Sequence, residues 1–103
     1  MTNKQILHLL HKKAMQSCSK FRISAIGLNG RGECVDKAFN KPRFLHKGGG
    51  IHAEMQIMRS AREKGIKTIF ICRINNTGKF LPIQPCETCQ RKADELGIRI
   101  ISI

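Results

Sequence analysis

An almost unbroken apolar run, KTIFICRI at residues 67–74, is the feature that most limits how this chain can fold. Its β-branched and aromatic side chains are typical of a strand. A strand with apolar residues at successive positions has to be covered on both faces, because either face would otherwise present apolar surface to water. The run therefore predicts the central strand of a sheet that lies between two other layers.

The segments around this run supply the remaining strands and the covering helices. The sequence NGRG at residues 29–32 is a tight-turn signal between two β-rich segments and predicts a hairpin. Gly65 and Gly97 each follow an amphipathic segment, in the position where glycine commonly ends a helix. The segment 40–50 is expected to be a loop. Helices are expected at residues 3–17, 51–65 and 86–96, and strands at 21–28, 33–39, 67–74 and 98–103.

The element order α-β-β-α-β-α-β predicts a three-layer α/β fold with a mixed β-sheet flanked by helices. At 103 residues the chain is expected to form a single domain, residues 1–103, with a modest core. No segment is typical of a membrane span or a signal peptide. We therefore expect an intracellular, cytoplasmic protein without a membrane partner.

The charge balance is strongly basic, with 19 Lys and Arg against 7 Asp and Glu and a net charge of +12. Such a balance on a small domain favours a polyanionic partner. A coding bias toward lysine with a well-solvated surface accounts for the count equally well, because a count does not show a patch. Composition alone leaves both interpretations open.

Two short motifs carry chemistry. Cys86 and Cys89, in PCETC, are three residues apart, so that both sulfurs face the same way on the first turn of a helix. His52 follows three glycines at the start of another predicted helix. Together these residues are candidate ligands of a zinc site that keeps one coordination position for water. Glu54, two positions after His52, is spaced to reach that water rather than the metal.

HAE at residues 52–54 followed by PCETC at 85–89 resembles the H-x-E…P-C-x-x-C signature of the zinc-dependent nucleobase deaminases. The order of elements is similar to the cytidine deaminase fold over nearly the whole chain. HAEM at 52–55 is similar to the deoxycytidylate deaminase and tRNA adenosine deaminase branches, and to small deaminase-like proteins of large DNA viruses and bacteria. The segment between the central strand and PCETC is longer than in many members of the superfamily.

The resemblance implies a Zn²⁺ cofactor on His52, Cys86 and Cys89, with Glu54 as the catalytic proton shuttle. Hydrolytic deamination would then convert cytosine to uracil by attack at C4. Adenine, attacked at C6, is the alternative base. Asn40 corresponds to an asparagine that contacts the base in the tRNA adenosine deaminases. The resemblance also implies a homo-oligomer. The backbone amide of Ala53 or that of Cys86 is a candidate substrate contact.

Other interpretations of the motifs stay open. A structural zinc site would take Cys34, His46 or Cys72 as its fourth ligand, but a closed site leaves Glu54 without a role. A catalytically idle module that binds nucleic acid through its basic surface is a further alternative, against which the intact Glu54 argues. An enzyme that acts on free nucleotides is the third.

The loop before the HAE motif bears on the substrate. Lys41, Arg43 and Lys47 surround Phe44, and cations with an interleaved aromatic suit phosphate contact and stacking on an unpaired base. The alternative is an ordinary basic loop in which Phe44 caps the core. We expect these four residues to bind a nucleotide or single-stranded nucleic acid, with cytosine the favoured base.

Overall fold

The computed structural model describes residues 2–16, 22–40, 53–75 and 77–103. Over these residues the order of elements is α-β-β-α-α-β-β-α-β. The helices are α1 (Asn3–Ala14), α2 (Ala53–Met58), α3 (Ala61–Lys64) and α4 (Glu87–Leu96), and the strands are β1 (Arg22–Asn29), β2 (Cys34–Phe39), β3 (Ile66–Ile74), β4 (Phe80–Leu81) and β5 (Arg99–Ser102).

The strand predicted at 67–74 lies in the middle of the sheet, as β3. It pairs antiparallel with β1 on one side. On its other side it pairs antiparallel with β4 near its end and parallel with β5 over its first part. The strand order is β2-β1-β3-β4, with β5 also beside β3. This mixed sheet confirms the predicted fold class.

Two apolar clusters cover the two faces of the sheet. Successive side chains of a strand point to opposite faces, so Ile71 belongs to one cluster and its neighbour Cys72 to the other. We call these the α2–α4 face and the α1 face, after the helices that cover them. Ile57 of α2 and Ala93 of α4 pack on the first face. Leu10 of α1 packs on the second, and the predicted three-layer arrangement is confirmed.

The helix predicted to end at Gly65 is two helices. The amide of Ser60 donates to the carbonyl oxygen of Ile57, three residues back, over 3.3 Å. The backbone of Ser60, at φ −117° and ψ 18°, departs from helical angles. Serine is a weak helix former, so the chain turns here before α3 begins. Gly65 ends α3 in the left-handed conformation, as predicted, at φ 66°.

A strand that the sequence pattern did not predict, β4, follows the central strand. The Asn75 side-chain oxygen accepts hydrogen bonds from the amides of Thr77 and Lys79. The Asn75 amide also donates to the Lys79 carbonyl oxygen over 3.0 Å, which closes a hairpin. Pro82 follows directly after the two residues of β4 and has no amide to donate to a ladder. Two residues are too few for an alternating pattern.

No helix of the described segments has the length and apolarity that a membrane crossing requires.

Candidate active site

Two helices, α2 and α4, begin at the same edge of the sheet. The α2–α3 segment leads into the start of β3, and α4 leads into the start of β5. Because β3 and β5 are parallel, the first residues of both segments lie at the carboxyl ends of the strands. Gln56 Nε2 donates to the carbonyl oxygen of Phe39, the last residue of β2, over 2.6 Å. We call this edge, at the carboxyl ends of β2 and β3, the site edge.

The two cysteines of PCETC occupy the first turn of α4, as predicted. Cys86 is the N-cap, and its sulfur accepts a hydrogen bond from the Cys89 amide over 3.4 Å. Cys89 is fully buried, whereas Cys86 is exposed. One sulfur therefore lies in the protein interior and the other on its surface, on the same turn.

Glu54 lies close enough to Cys89 for its charge to act on that thiol. It is the second residue of α2 and is only 4% exposed. Burial raises the pKa of the Cys89 thiol well above its ordinary value, and the hydrogen bond with Cys86 and the negative charge of Glu54 raise it further. Ala53, fully buried beside Glu54, belongs to the same apolar cluster as Cys89. Its small side chain lets the starts of α2 and α4 approach closely.

This donor set fits a divalent zinc ion. The negative charge of Glu54 destabilises the thiolate form of Cys89, and a cation beside the two groups would reverse that effect. Thiolate sulfur is a preferred ligand of zinc. The predicted third ligand, His52, lies outside the described residues, and the residues that are described contain no cluster of three or more metal-ligating side chains. The complete ligand set therefore stays a prediction.

The two alternative fourth ligands that the structure describes, Cys72 and Cys34, lie away from this pair. Cys72 is buried on the α1 face, with its sulfur 3.2 Å from the Ser24 hydroxyl, and burial raises its thiol pKa. Cys34 packs partly buried against the same cluster. Cys89 packs on the opposite face of the sheet, so the strands separate it from both. His46, the remaining alternative, lies outside the described residues.

Asn40 lies at the site edge and takes part in the fold there. Its side-chain oxygen accepts a hydrogen bond from the Ile23 amide over 3.0 Å. Its own amide donates to the Ile23 carbonyl oxygen over 2.9 Å. The carbonyl of the side chain thus extends the β1–β2 pairing by one residue. The base contact assigned to Asn40 stays a prediction, as do the contacts of Lys41, Arg43, Phe44 and Lys47, which lie outside the described residues.

Arg73 is a cation at the site edge that belongs to neither sequence motif. It is half-buried near the end of β3, paired with Ile23 of β1 and Leu81 of β4. It shares its strand parity with Ile69 and Ile71, whose side chains pack on the α2–α4 face. The sequence signal for Arg73 was its charge inside an otherwise apolar run. The face of the sheet to which it points became clear only from the strand register.

Comparisons with known proteins bear on the family and on the fold. The chain matches the family model of the cytidine and deoxycytidylate deaminase zinc-binding region over residues 1–103. No curated protein matches it by sequence. Its structure is similar to the cytidine deaminase of Mycobacterium tuberculosis, at a TM-score of 0.65 and 17% identity, covering 100% of this chain and 85% of the other.

Two further solved structures share the fold. The cytidine deaminase of Mycobacterium leprae is similar at a TM-score of 0.66 and 16% identity, over 99% of this chain and 89% of its own. The dCMP deaminase of cyanophage S-TIM5, in its apo form, is similar at a TM-score of 0.54 and 14% identity, over 100% of both chains. At these identities the likeness establishes the fold.

Proposed function

The chain belongs to the cytidine and deoxycytidylate deaminase family, and from this we propose that it deaminates a cytosine base to uracil by zinc-dependent hydrolysis. The substrate we propose is a nucleotide or a single-stranded nucleic acid. The observation that carries the proposal is the burial of the Glu54 carboxylate beside Cys89, on the same side of the sheet as the exposed sulfur of Cys86. Burying a carboxylate costs free energy unless a hydrogen bond, an opposite charge or a metal ion offsets it.

Zinc held by His52, Cys86 and Cys89 would supply the charge that makes water a nucleophile near neutral pH. Glu54 is the group that moves protons. Its carboxylate accepts the proton of the attacking water and delivers it to the ring nitrogen next to C4. Once oxygen is bonded to C4, the bond from C4 to the exocyclic nitrogen breaks and ammonia leaves with a proton that Glu54 also transfers.

The remaining chain would bind and orient the base. The Ala53 amide and the Asn40 side chain lie at the site edge, where a base would enter between the starts of α2 and α4. The net charge of +12 supports a substrate that carries phosphate over a neutral nucleoside. Lys41, Arg43 and Lys47 are the proposed phosphate contacts in the loop, with Phe44 as a stacking partner. Adenine, with hypoxanthine as its product, is the alternative base.

The test is a product assay on cytidine, deoxycytidylate, single-stranded DNA and RNA, with and without a chelator. We expect one ammonia for each cytosine converted to uracil, with the base still attached to its sugar, and loss of turnover when the metal is removed. Glu54→Gln should lower turnover ~10²–10⁴-fold, the usual contribution of a general acid–base group. Glu63→Gln is the matched control, since Glu63 is an exposed glutamate of α3.

Three outcomes would change the proposal. Hypoxanthine as the product would move the assignment to adenine. Binding of oligonucleotides without any turnover would favour the idle binding module. Turnover by Glu54→Gln at the parent rate would remove the enzymatic assignment of Glu54 altogether.

A further inference from the structure

The outer surface of α1 carries cations and no carboxylate. Ile6, Leu10 and Ala14 form its buried row. Lys4, His8 and Lys12 follow the same four-residue spacing on the opposite side of the helix, and all three are exposed. Residues four apart are separated by about 6 Å along a helix axis. The sequence of α1, NKQILHLLHKKA, contains no Asp or Glu. We call Lys4, His8 and Lys12 the basic row.

The acidic residues of the chain lie elsewhere. Five of the seven belong to α2, α3 and α4, on the other face of the sheet. Asp36 is turned toward that face as well, since its carboxylate lies 3.0 Å from Lys64 Nζ of α3. Glu33, in the β1–β2 hairpin, accepts a hydrogen bond from Asn29. Among the elements that the structure describes, positive charge is therefore least compensated along α1.

Both a concave surface and an exposed aromatic ring adjoin the basic row. A concavity of about 500 Å³ opens beside the first turns of α1. Phe80 of β4 is 38% exposed, and its ring centroid lies 5.8 Å from that of His11 at a tilt of 58°. Lys79, also exposed, precedes Phe80 directly. The concavity is lined by Thr2, Lys4, Gln5, His8 and Leu9.

The C-terminal half of α1 leads to the site edge. His11 Nε2 lies 3.1 Å from the carbonyl oxygen of Gly78, in the turn that joins the end of β3 to β4. Lys13 Nζ lies over the ring of Phe39, 5.2 Å from its centroid, and Phe39 ends β2. After β4 the chain runs through Pro82 and reaches Cys86. A ligand that lies along α1 toward its C-terminal end therefore arrives at the edge that carries Glu54.

We propose that α1 and the β3–β4 hairpin bind a single strand of nucleic acid, with the basic row on its phosphates and Phe80 stacked on a base. Surfaces that hold single strands combine a track of cations with aromatic rings on which bases stack. The residues of this surface are different from those of the segment 40–47 that the sequence indicated. The inference rests on the proposed function only in that the strand would be delivered to the deaminating site.

Binding is measured by fluorescence anisotropy with a labelled oligothymidylate, which contains no cytosine and is not turned over. The log–log salt slope for single strands is about −0.7 per phosphate neutralised. The double variant Lys4→Gln/Lys12→Gln should therefore flatten the slope by about 1.4. The control Lys67→Gln/Lys92→Gln removes two exposed lysines, from β3 and α4, and should leave the slope within 0.7 of the parent, less than about one phosphate contact.

Phe80 tests the stacking part of the surface. Phe80→Leu keeps an apolar side chain against His11 but lacks an aromatic face. It should weaken binding roughly 5- to 150-fold, the range expected for one lost base stack, with the salt slope unchanged. Phe80→Tyr should restore binding to within a few-fold of the parent. Restoration by Tyr separates stacking from a purely structural role of the ring in the hairpin.

The two proposals fail in different ways. If the lysine double variant binds with the parent slope while deoxycytidylate is still deaminated, the surface is wrong and the function stands. If binding depends on the basic row but no base is deaminated, the function is wrong and the surface stands. If the double variant loses binding only to vesicles of anionic phospholipid and keeps binding to oligothymidylate, the surface serves lipid headgroups and the nucleic-acid assignment is overturned.

Discussion

Cys86 and Cys89 have the same chemistry and different surroundings. One caps a helix at the surface, whereas the other is buried against α2. Cys86→Ala should abolish zinc retention with little effect on the apolar core, because it removes a proposed ligand from an exposed position. Cys34→Ala is the matched control, a half-buried cysteine on the α1 face, and should keep the metal. Metal analysis of the two purified variants checks this, and full zinc content in Cys86→Ala would exclude Cys86 as a ligand.

The sequence identified Glu54, Cys86 and Cys89 because their spacing alone places them on the first turns of helices. The structure agrees with that placement. Arg73 was not identified because its face depends on the pairing of β3 with β1, which a single strand pattern does not contain. For Asn40, the hydrogen bond to Ile23 depends on where β2 ends beside β1. Residues that share one helix turn can therefore be predicted from their spacing in the sequence, whereas contacts that depend on strand pairing cannot.

Elements with strong end signals were predicted well. The last helix begins after Cys86 and ends before Gly97, which adopts the left-handed conformation at φ 69°. The hairpin at 29–32 was recognised because Asn-Gly and Gly are typical turn residues. The helix break at Ser60 was not predicted, because a single weak helix former hardly changes the helical pattern. The strand β4 was not predicted, because two residues are too few to show an alternating pattern. Tertiary contacts decide such elements.

The β3–β4 hairpin depends on Asn75. Its side-chain oxygen accepts three hydrogen bonds, from the Thr77 amide and hydroxyl and from the Lys79 amide. Asn75→Ala should therefore lower the free energy of unfolding by about 1–2 kcal/mol. Gln84→Ala, an exposed position after β4, should change it by less than about 0.5 kcal/mol. Urea denaturation measures both, and an Asn75→Ala variant as stable as the parent would show that the turn forms without this side chain.

The sheet gives the whole molecule two different faces. Helices α2 and α4 bring the proposed catalytic groups together on one face, and α1 presents a basic surface on the other. That arrangement follows from the central strand, whose apolar residues require cover on both sides. The number of Lys and Arg residues in the sequence does not show which face of the sheet carries the positive charge, because the fold decides where those residues lie. The C-terminal half of α1 lies at the site edge. The basic surface on one face therefore extends to the edge where the proposed catalytic groups of the other face lie.

Self-association is expected at the scale of the whole molecule, through β5. Within the described residues β5 pairs with β3 alone, and a strand in that position can pair with a strand of another chain. Ile101 is half-buried and Ile103 is 38% exposed.

At micromolar concentration, sedimentation should show a dimer or larger assembly. Ile101→Lys should shift it toward monomer while cooperative unfolding is kept, because a lysine on an edge strand opposes pairing. Control variant Lys92→Gln, on the exposed surface of α4, should sediment as the parent does. A parent that sediments only as monomer would contradict the expectation.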